Sequence, residues 1–434
     1  MSGLNETHDP AQRSWIAAAN AQGADFPIQN LPYGVFSSGD LAPRCGVAIG
    51  DRILDLAAVE AAGLLRPDAA ATVFDRAALN DFLGLGPAAW HATRRRIWQL
   101  LRADESALRD DTALCATALV PIAEARLHLP VFVRSFTDFY ASRHHASNVG
   151  TMFRGADKAL PPNWLHMPIG YNGRASTVVV SGQPIRRPWG QLKGAADDAP
   201  RFGPSARLDI ELELGAIVGQ PSPMGQPVTT AEAAAMIFGY VLLNDWSARD
   251  VQVWEYQPLG PFQSKAFATS ISPWTVTAEA LAPFRIAAPA PEKELLPYLR
   301  ETGPGLYDIA LEVTLAPAGR APTVISRTSY RHMYWSAAQQ LAHHAAGGCA
   351  MCAGDLLGSG TISGPTRESC GSLLEITWNG RDPVAVDGGE RRFVEDGDTV
   401  TLSGWCEAPG RHIGFGRCET QVLPCVDLPQ AWQT

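Results

Sequence analysis

Residues 208–214 (LDIELEL) alternate strictly between apolar and acidic side chains. Successive side chains of a β-strand point to opposite faces, so the segment predicts a strand with one leucine-rich face. Its two faces would carry Leu208, Ile210, Leu212 and Leu214 on one side, and Asp209, Glu211 and Glu213 on the other. Carboxylates two residues apart on one face lie roughly 7 Å from each other and repel unless a cation lies between them. Alone, the pattern is typical of an antiparallel strand with a half-solvated acidic face; a site for a hard divalent ion is the alternative.

Other hydrophobic patterns divide the chain near residues 118–122. Short apolar runs broken by turn residues predict strands within 14–56, and alanine-rich runs predict helices within 57–72 and 87–109. Beyond Pro121 many short strands are expected, so we predict two domains, 1–119 and 120–434. Within the second domain we predict a helix over 230–240 with Thr230 as N-cap, and another over 336–346 that starts at Ser336 and stops at the following glycines.

Composition narrows the class of protein. The chain has 434 residues, of which 46% are hydrophobic and 18% charged, as in a globular protein. Its net charge is −9, and Arg94–Arg96 form a short basic run rather than a stripe, which argues against nucleic-acid binding. No uninterrupted apolar stretch approaches the roughly 18 residues of a membrane span, and the first ten residues lack the apolar region of a signal peptide. We therefore expect a cytoplasmic protein.

Eight cysteines are scattered through the sequence. That distribution favours reduced, packed thiols over a disulfide framework. Cys349 and Cys352 have C-x-x-C spacing, and His343 and His344 precede them, but no second pair follows at the spacing of a zinc site. We interpret this pair as structural.

Polar and charged side chains are concentrated in four segments, 137–148, 208–214, 242–252 and 260–269. Functional sites commonly lie where apolar strands run into polar loops. Each residue also has a structural explanation: Asp138 as a turn cap, His145 as a buried histidine, Asp245 as the N-cap of a short helix at 246–250, and Arg249 and Lys265 as partners of surface acids. Taken together, the acids, His145 and the cations predict a single site.

The sequence resembles the fumarylacetoacetate hydrolase family over residues 14–425. The matching stretches occur in the same order in this chain: 25–36 (DFPIQNLPYGVF), 46–50 (GVAIG), 170–176 (GYNGRAS), 181–188 (SGQPIRRP), 208–214 (LDIELEL), 244–250 (NDWSARD), 358–365 (GSGTISGP), 395–398 (EDGD) and 414–416 (GFG).

The resemblance implies a mostly β fold with some α-helix. It comprises a small SH3-like N-terminal β domain and a large mixed-β-roll catalytic domain, in a homodimer. It also implies hydrolysis of the carbon–carbon bond of the β-diketone 4-fumarylacetoacetate to fumarate and acetoacetate, the last step of tyrosine and phenylalanine catabolism through homogentisate. The implied cofactor is Mg²⁺, Ca²⁺ or both.

The family's functional residues carry over one by one. Its metal carboxylates fall on Asp138, Glu211, Glu213 and Asp245, and the neighbours of a second ion fall on Asp245, Lys265 and Thr269. Its general base falls on His145, oriented by Glu375. Its substrate contacts fall on Tyr140, Arg154, Tyr171, Arg249, Gln252, Tyr256 and Thr361.

The implied reaction needs these residue types. Water attacks a carbonyl, an oxyanion forms, and the carbon–carbon bond breaks to expel an enolate, for which a chelated divalent ion is an effective Lewis acid. Carboxylates suit Mg²⁺ and Ca²⁺. His145 would take the water's proton, and Lys265, Gln252 and Arg249 would hold the oxyanion. Arg154 and the tyrosines would hold the substrate's carboxylates. Neighbouring His144 we interpret as a bystander.

The sequence departs from the family at two positions, and two alternative functions stay open. Ser264 and Ala268 stand where the family usually has glycines, and their Cβ atoms would crowd the ligand if they faced it. One alternative is a related oxo-acid hydrolase of the acylpyruvate type, against which the N-terminal domain argues. The other is a calcium-stabilised β module that binds an acidic small molecule without catalysis.

Overall fold

A computed structural model describes residues 3–194 and 196–432. The outermost residues of both predicted domains, 1, 2, 433 and 434, lie outside this described part, as does Ala195. No helix in the described ranges is both long and apolar enough to cross a membrane.

The strands are numbered along the chain. Those of the N-terminal region are β1 (Tyr33–Ser37), β2 (Arg44–Ile49), β3 (Arg52–Asp55), β4 (Leu119–Pro121) and β5 (Arg126–His128). Those that follow are β6 (Phe136–Phe139), β7 (Gly170–Asn172), β8 (Val178–Val180), β9 (Ile185–Arg186), β10 (Trp189–Leu192), β11 (Arg201–Pro204), β12 (Leu208–Asp209), β13 (Leu212–Val218), β14 (Ile237–Asn244), β15 (Ser247–Ala248), β16 (Thr269–Ile271) and β17 (Val276–Thr277). The remainder are β18 (Arg285–Ile286), β19 (Leu306–Tyr307), β20 (Ala310–Ala316), β21 (Thr323–Ser329), β22 (Leu356–Gly358), β23 (Val384–Val386), β24 (Gly389–Arg391), β25 (Thr399–Ala408) and β26 (Arg411–Leu423).

The α-helices are short apart from α3 and α5. They are α1 (Leu56–Ala61), α2 (Asn80–Leu83), α3 (Pro87–Leu101), α4 (Thr112–Ala118), α5 (Arg143–Arg154), α6 (Thr230–Met236), α7 (Arg249–Glu255), α8 (Gln263–Ala266), α9 (Ala337–Ala345) and α10 (Leu373–Ile376).

The N-terminal region is an antiparallel sheet in the order β4–β3–β2–β1–β5. Helices α1 to α4 lie in the sequence between β3 and β4. The sheet therefore includes strands on both sides of residue 119. A small β domain followed by a larger, mostly β region agrees with the predicted fold class.

The larger region is built on a sheet in the order β7–β6–β22–β13–β14–β16–β8. A second sheet, β21–β20–β25–β26–β9, covers one face of it. Every residue of β13 and β14 is buried. Leu212, Leu214 and Leu242 pack with the second sheet, whereas Ile217 and Leu243 pack with the core of the N-terminal region. A strand covered on both faces is a rigid support for side chains at its ends.

The apolar face predicted for residues 208–214 is confirmed, but these residues do not form one continuous strand. Leu208, Ile210, Leu212 and Leu214 all belong to one hydrophobic core. The ladder is broken between Asp209 and Leu212, since β12 pairs with β15 while β13 pairs with β14. The acidic face is buried rather than half-solvated, with Asp209, Glu211 and Glu213 each 4% exposed or less.

The helix predicted over 230–240 begins at residue 230 but ends earlier than expected, and its N-cap lies one residue earlier than predicted. Its N-cap is Thr229, not Thr230, because the Thr229 hydroxyl accepts from the N–H of Glu232 while the Glu232 carboxylate accepts from the N–H of Thr229. It ends at Met236, where the β-branched and aromatic residues of β14 begin. The prediction for α9 is confirmed, with Ser336 as the N-cap.

Candidate metal and catalytic site

Four acids from three strand segments meet at one end of the central sheet. Asp138 lies in β6, Glu213 in β13, Glu211 just before β13, and Asp245 just after β14. One oxygen of each lies within 4.8 Å of the others, and all four side chains are buried. Pairing of β13 with β14 and of β6 with β22 fixes their positions. The structure thus brings the predicted carboxylates together.

Lys265 and Thr269 lie against this acid cluster. The Lys265 ammonium contacts Glu211 and lies 2.7 Å from Oδ2 of Asp245. The Thr269 hydroxyl donates to Oδ1 of Asp245 at 2.9 Å. Burial alone would lower the pKa of Lys265, but Asp245 and Glu211 raise it above its ordinary value, so the ammonium remains charged. Lys265 is therefore a fixed cation and not a proton acceptor.

Two oxygens of the cluster lack a hydrogen-bond partner among the described residues. They are Oδ1 of Asp138 and Oε1 of Glu213, and both are buried. Burial and the neighbouring carboxylates raise the pKa of both side chains well above the ordinary range. Two unpaired oxygens within a cluster of four carboxylates are a donor set that fits a hard divalent cation such as Mg²⁺ or Ca²⁺.

Gly358 keeps space open beside the carboxylates of Asp138 and Glu213. It stands opposite Asp138 in the parallel pair of β6 and β22. A Cβ atom built on Gly358 would lie 2.6 Å from Oδ1 of Asp138 and 2.9 Å from Oε2 of Glu213. Glycine is thus required by the close approach of the carboxylates to the backbone.

His145 lies in the first turn of α5, whose N-cap is Ser142. Its Nδ1 atom lies 2.7 Å from Oε2 of Glu375, and its Nε2 atom lies 3.9 Å from Oε1 of Glu211. Both His145 and Glu375 are buried. The carboxylate orients the ring so that Nε2 faces the acid cluster, which is the arrangement a general base requires.

Glu375 is itself held by several donors. Its oxygens accept from Ser363 at 2.9 Å, from Ser372 at 2.8 Å and from Asn148 at 2.9 Å. Burial raises the pKa of Glu375, but His145 and these hydrogen bonds outweigh burial, and the pKa is lowered overall. The carboxylate therefore stays ionised beside the histidine.

The acid cluster and His145 open into a cavity of about 380 Å³. Most of the predicted site residues line it: Asp138, Tyr140, His145, Arg154, Tyr171, Glu211, Glu213, Arg249, Gln252, Tyr256, Lys265 and Thr361. Three predicted site residues lie behind this lining and contact it or one another. Glu375 contacts His145, Asp245 contacts Lys265, and Thr269 contacts Asp245. A larger cleft of about 1230 Å³ lies between Arg76, Arg126 and Val179, where no acid cluster converges among the described residues. We place the site in the smaller cavity because it contains the convergent polar groups.

The cationic side of the cavity is anchored to the acids. Arg249 donates from Nε to Asp209 at 2.8 Å and from an η-nitrogen to Gln252 at 3.0 Å, and it forms an ion pair with Glu211 at 2.6 Å. Tyr171 donates to Asp245 at 3.0 Å. Asp209, which the alternation placed on the acidic face, therefore lies outside the metal cluster and pairs with Arg249.

The remaining candidates lie elsewhere. His144 packs its ring against His332 at 6.0 Å and does not line the cavity. Ser264 and Ala268 are buried, and neither belongs to the cavity lining. Cys349 and Cys352 are free thiols outside any cluster of potential metal ligands in the described ranges.

Sequence reasoning missed the residues that support Glu375. Asn148 follows His145 by three positions, a helical spacing that places both side chains on one face and could have revealed it. Ser372 precedes Glu375 by three positions and is the N-cap of α10, which is also a recognisable local pattern. Ser363 and Gly358 gave no signal of their own.

Two protein-family models match this chain. The family model of the fumarylacetoacetate hydrolase C-terminal region matches residues 134–423, and that of the fumarylacetoacetase N-terminal region matches residues 29–130. The chain belongs to the fumarylacetoacetate hydrolase family. Within this family, it is 48% identical over 412 residues to the fumarylacetoacetase of Homo sapiens, covering 94% of this chain and 98% of that protein.

A plant relative and a solved structure extend the comparison. The fumarylacetoacetase of Oryza sativa subsp. japonica is 48% identical over 421 residues, covering 95% of this chain and 98% of that protein. The solved fumarylacetoacetate hydrolase of the psychrophile Exiguobacterium antarcticum is 18% identical, with a TM-score of 0.50 over 91% of this chain and 99% of that chain. This last likeness concerns the fold alone.

Proposed function

We propose that this chain hydrolyses 4-fumarylacetoacetate to fumarate and acetoacetate, the final step of tyrosine and phenylalanine catabolism. The observation that carries the proposal is the convergence of His145, Glu375 and the four-acid cluster on one cavity, in a chain about half identical to fumarylacetoacetases along nearly its whole length. The match of residues 29–130 to the fumarylacetoacetase N-terminal model supports this substrate over that of an acylpyruvate hydrolase.

Asp138, Glu211, Glu213 and Asp245 would hold a divalent ion, with Lys265 and Thr269 beside Asp245. When bound, Mg²⁺ or Ca²⁺ would supply Lewis-acid chemistry that favours departure of the enolate.

His145 would take a proton from the attacking water on Nε2, and Glu375 would stabilise the resulting imidazolium through Nδ1. The water oxygen adds to the carbonyl carbon, the carbon–carbon bond breaks, and its electron pair leaves with acetoacetate as the enolate. His145 then returns the proton to the enolate carbon. Arg249, Gln252 and Lys265 would stabilise the negative charge on the former carbonyl oxygen.

Tyr140, Arg154, Tyr171, Tyr256 and Thr361 would bind the rest of the substrate. The hydroxyl of Thr361 is buried in the cavity wall and has no hydrogen-bond partner among the described residues, which suits a ligand contact. Arg154 already donates to the carbonyl oxygens of Lys158 and Ala159, so its remaining donors are available to a carboxylate. A homodimer and a cytoplasmic location remain predictions of the family resemblance.

The test is to add the purified protein to 4-fumarylacetoacetate with Mg²⁺ and follow loss of the diketone's ultraviolet absorbance. Fumarate and acetoacetate should form in equal amounts. Cleavage of acylpyruvates without cleavage of 4-fumarylacetoacetate would overturn the proposed substrate. Tight Ca²⁺ binding without turnover of either compound would favour a binding module.

A further inference from the structure

Asp209 is a fully buried acid to which the proposed reaction gives no task. Its side chain is 0% exposed and does not line the cavity. Burying an ionised carboxylate is costly unless it is paired and hydrogen-bonded. Its position in a catalytic domain therefore calls for a specific set of partners.

On one side, Asp209 holds Arg249. Its Oδ2 atom accepts from Nε of Arg249 at 2.8 Å. The remaining nitrogens of the guanidinium are directed to Glu211 and to Gln252. The planar guanidinium is thus clamped along one edge by Asp209, which fixes the edge that faces Glu211 and Gln252.

On the other side, Asp209 holds the helix that carries Glu375. Its Oδ1 atom accepts from the N–H of Leu373 at 2.8 Å, and its Oδ2 atom accepts from the N–H of Leu374 at 3.0 Å. These are the first two residues of α10, whose third residue is Glu375. Helices leave their first N–H groups without internal partners, so a carboxylate there anchors the helix end.

We propose that Asp209 is a positioning residue. It fixes the position of the oxyanion-binding Arg249 relative to that of the base-orienting Glu375. The proposal rests on the functions proposed for Arg249, His145 and Glu375. One carboxylate joins both groups, so displacement of Asp209 moves the two halves of the catalytic apparatus apart. Its substitution should slow the chemical step more than it weakens substrate binding.

The test compares Asp209→Asn with Asp398→Asn. Asp398 is an equivalent buried acid, since it pairs with Arg391 through two bonds of 2.9 Å and accepts from the N–H of Glu395 at 2.8 Å, but it lies outside the site. We expect Asp209→Asn to lower kcat roughly 10- to 100-fold with KM changed by less than about threefold, as a small misplacement of reacting groups does. Asp398→Asn should lower the melting temperature but leave kcat within about threefold of wild type.

A double-mutant cycle separates positioning from general destabilisation. If Asp209 acts partly through Glu375, the loss of kcat in Asp209→Asn combined with Glu375→Gln will be smaller than the product of the single losses. Asp398→Asn combined with Glu375→Gln should give the product. Multiplicative losses in both cycles, or equal kcat values for the two aspartate variants, would overturn the proposal.

Asp209→Glu covers the case in which the asparagine variant does not fold. This variant keeps a negatively charged carboxylate as the partner of Arg249 but moves it by one methylene. It should show the same selective loss of kcat. A folded Asp209→Glu with wild-type kcat would contradict the positioning function.

The positioning function of Asp209 can also be measured without substrate, by proton NMR. The short hydrogen bond from His145 to Glu375 should give a low-field proton resonance that Asp209→Asn shifts or abolishes and Asp398→Asn does not. If wild type fails to cleave 4-fumarylacetoacetate, the proposed function falls, whereas this resonance still tests the link between Asp209 and α10. If wild type turns over and the resonance is unchanged in Asp209→Asn, only the positioning inference falls.

Discussion

Nδ1 of His145 lies 2.7 Å from Oε2 of Glu375, while Nε2 of the same ring faces Glu211 at the edge of the cavity. The pair combines a buried, ionised carboxylate with a ring whose second nitrogen reaches the site. The ring of neighbouring His144 packs against His332 instead, and within residues 3–194 and 196–432 it has no carboxylate hydrogen-bond partner. The two histidines therefore form a matched pair for testing the general base.

His145→Asn should lower kcat by roughly 10²- to 10⁴-fold, because a positioned base is lost while the fold is kept. His144→Asn is the control and should cost far less. Steady-state kinetics with 4-fumarylacetoacetate, together with melting curves, measures both effects. Equal losses of kcat at the two positions would rule out His145 as the base.

Divalent ions should stabilise the protein through the acid cluster. Ligands that bind only the folded state raise its stability in proportion to the logarithm of their concentration over Kd. Mg²⁺ or Ca²⁺ should therefore raise the melting temperature of wild type but have little effect on Asp138→Asn, which removes one negative charge from the cluster and replaces a carboxylate oxygen by an amide nitrogen. Asp68→Asn, a change at an exposed acid, should respond as wild type does. An unchanged response in Asp138→Asn, measured by calorimetry and thermal melting, would exclude Asp138 from the ion's ligands.

Gly358→Ala tests the space beside the carboxylates. The added methyl would lie within 3 Å of both Asp138 and Glu213, so one or both carboxylates must move. We expect weaker binding of divalent ions with a native circular-dichroism spectrum. Gly389→Ala is the control, since a Cβ there meets no atom of the described part of the chain within 4 Å. Wild-type ion affinity in Gly358→Ala would show that the cluster tolerates this displacement.

Glycine substitutions at Ser264 and Ala268 should leave KM for the substrate unchanged, because neither residue lines the cavity. Ala268 belongs to the main hydrophobic core, so Ala268→Gly should cost about 0.5–1 kcal/mol in backbone entropy plus the lost methyl contacts. Ser264→Gly should cost less, because it also removes a buried hydroxyl that has no hydrogen-bond partner in the structure. Lower KM values in these variants would show instead that the side chains crowd the ligand.

Local patterns in the sequence predicted much of the fold. The leucine face at 208–214 and the Ser336 cap were read from periodicity and capping alone. The N-cap of α6 is Thr229 and not the predicted Thr230, and the sequence contains the signal for it, because Glu232 stands three residues after Thr229 and completes a capping box there. The end of α6 was harder to predict, since an apolar run continues from the helix into β14.

The site depended on contacts that no local pattern contains. Asp209, Glu211 and Glu213 look alike in the alternation, but Asp209 pairs with Arg249 and with the N–H of Leu373, 40 and 164 residues away. The strand is interrupted at 210–211, where the N–H groups of Ile210 and Glu211 donate to the side chains of Asp209 and Asn244. The distant partners of Asp209 hold this acid apart from the other two. The resemblance to a family supplied the grouping of the acids, and the structure supplied the reason for the exception.

The long sequence separations within the site also affect how the chain folds. The bond between His145 and Glu375 spans 230 residues, and the bond from the N–H of Gly360 to Glu213 spans 147. Contacts of such range form slowly, because a large loop must close before they contribute. A nascent or partly refolded chain therefore holds scattered carboxylates with ordinary, weak ion affinity. The appearance of tight divalent-ion binding during refolding should mark the moment at which the central sheet closes.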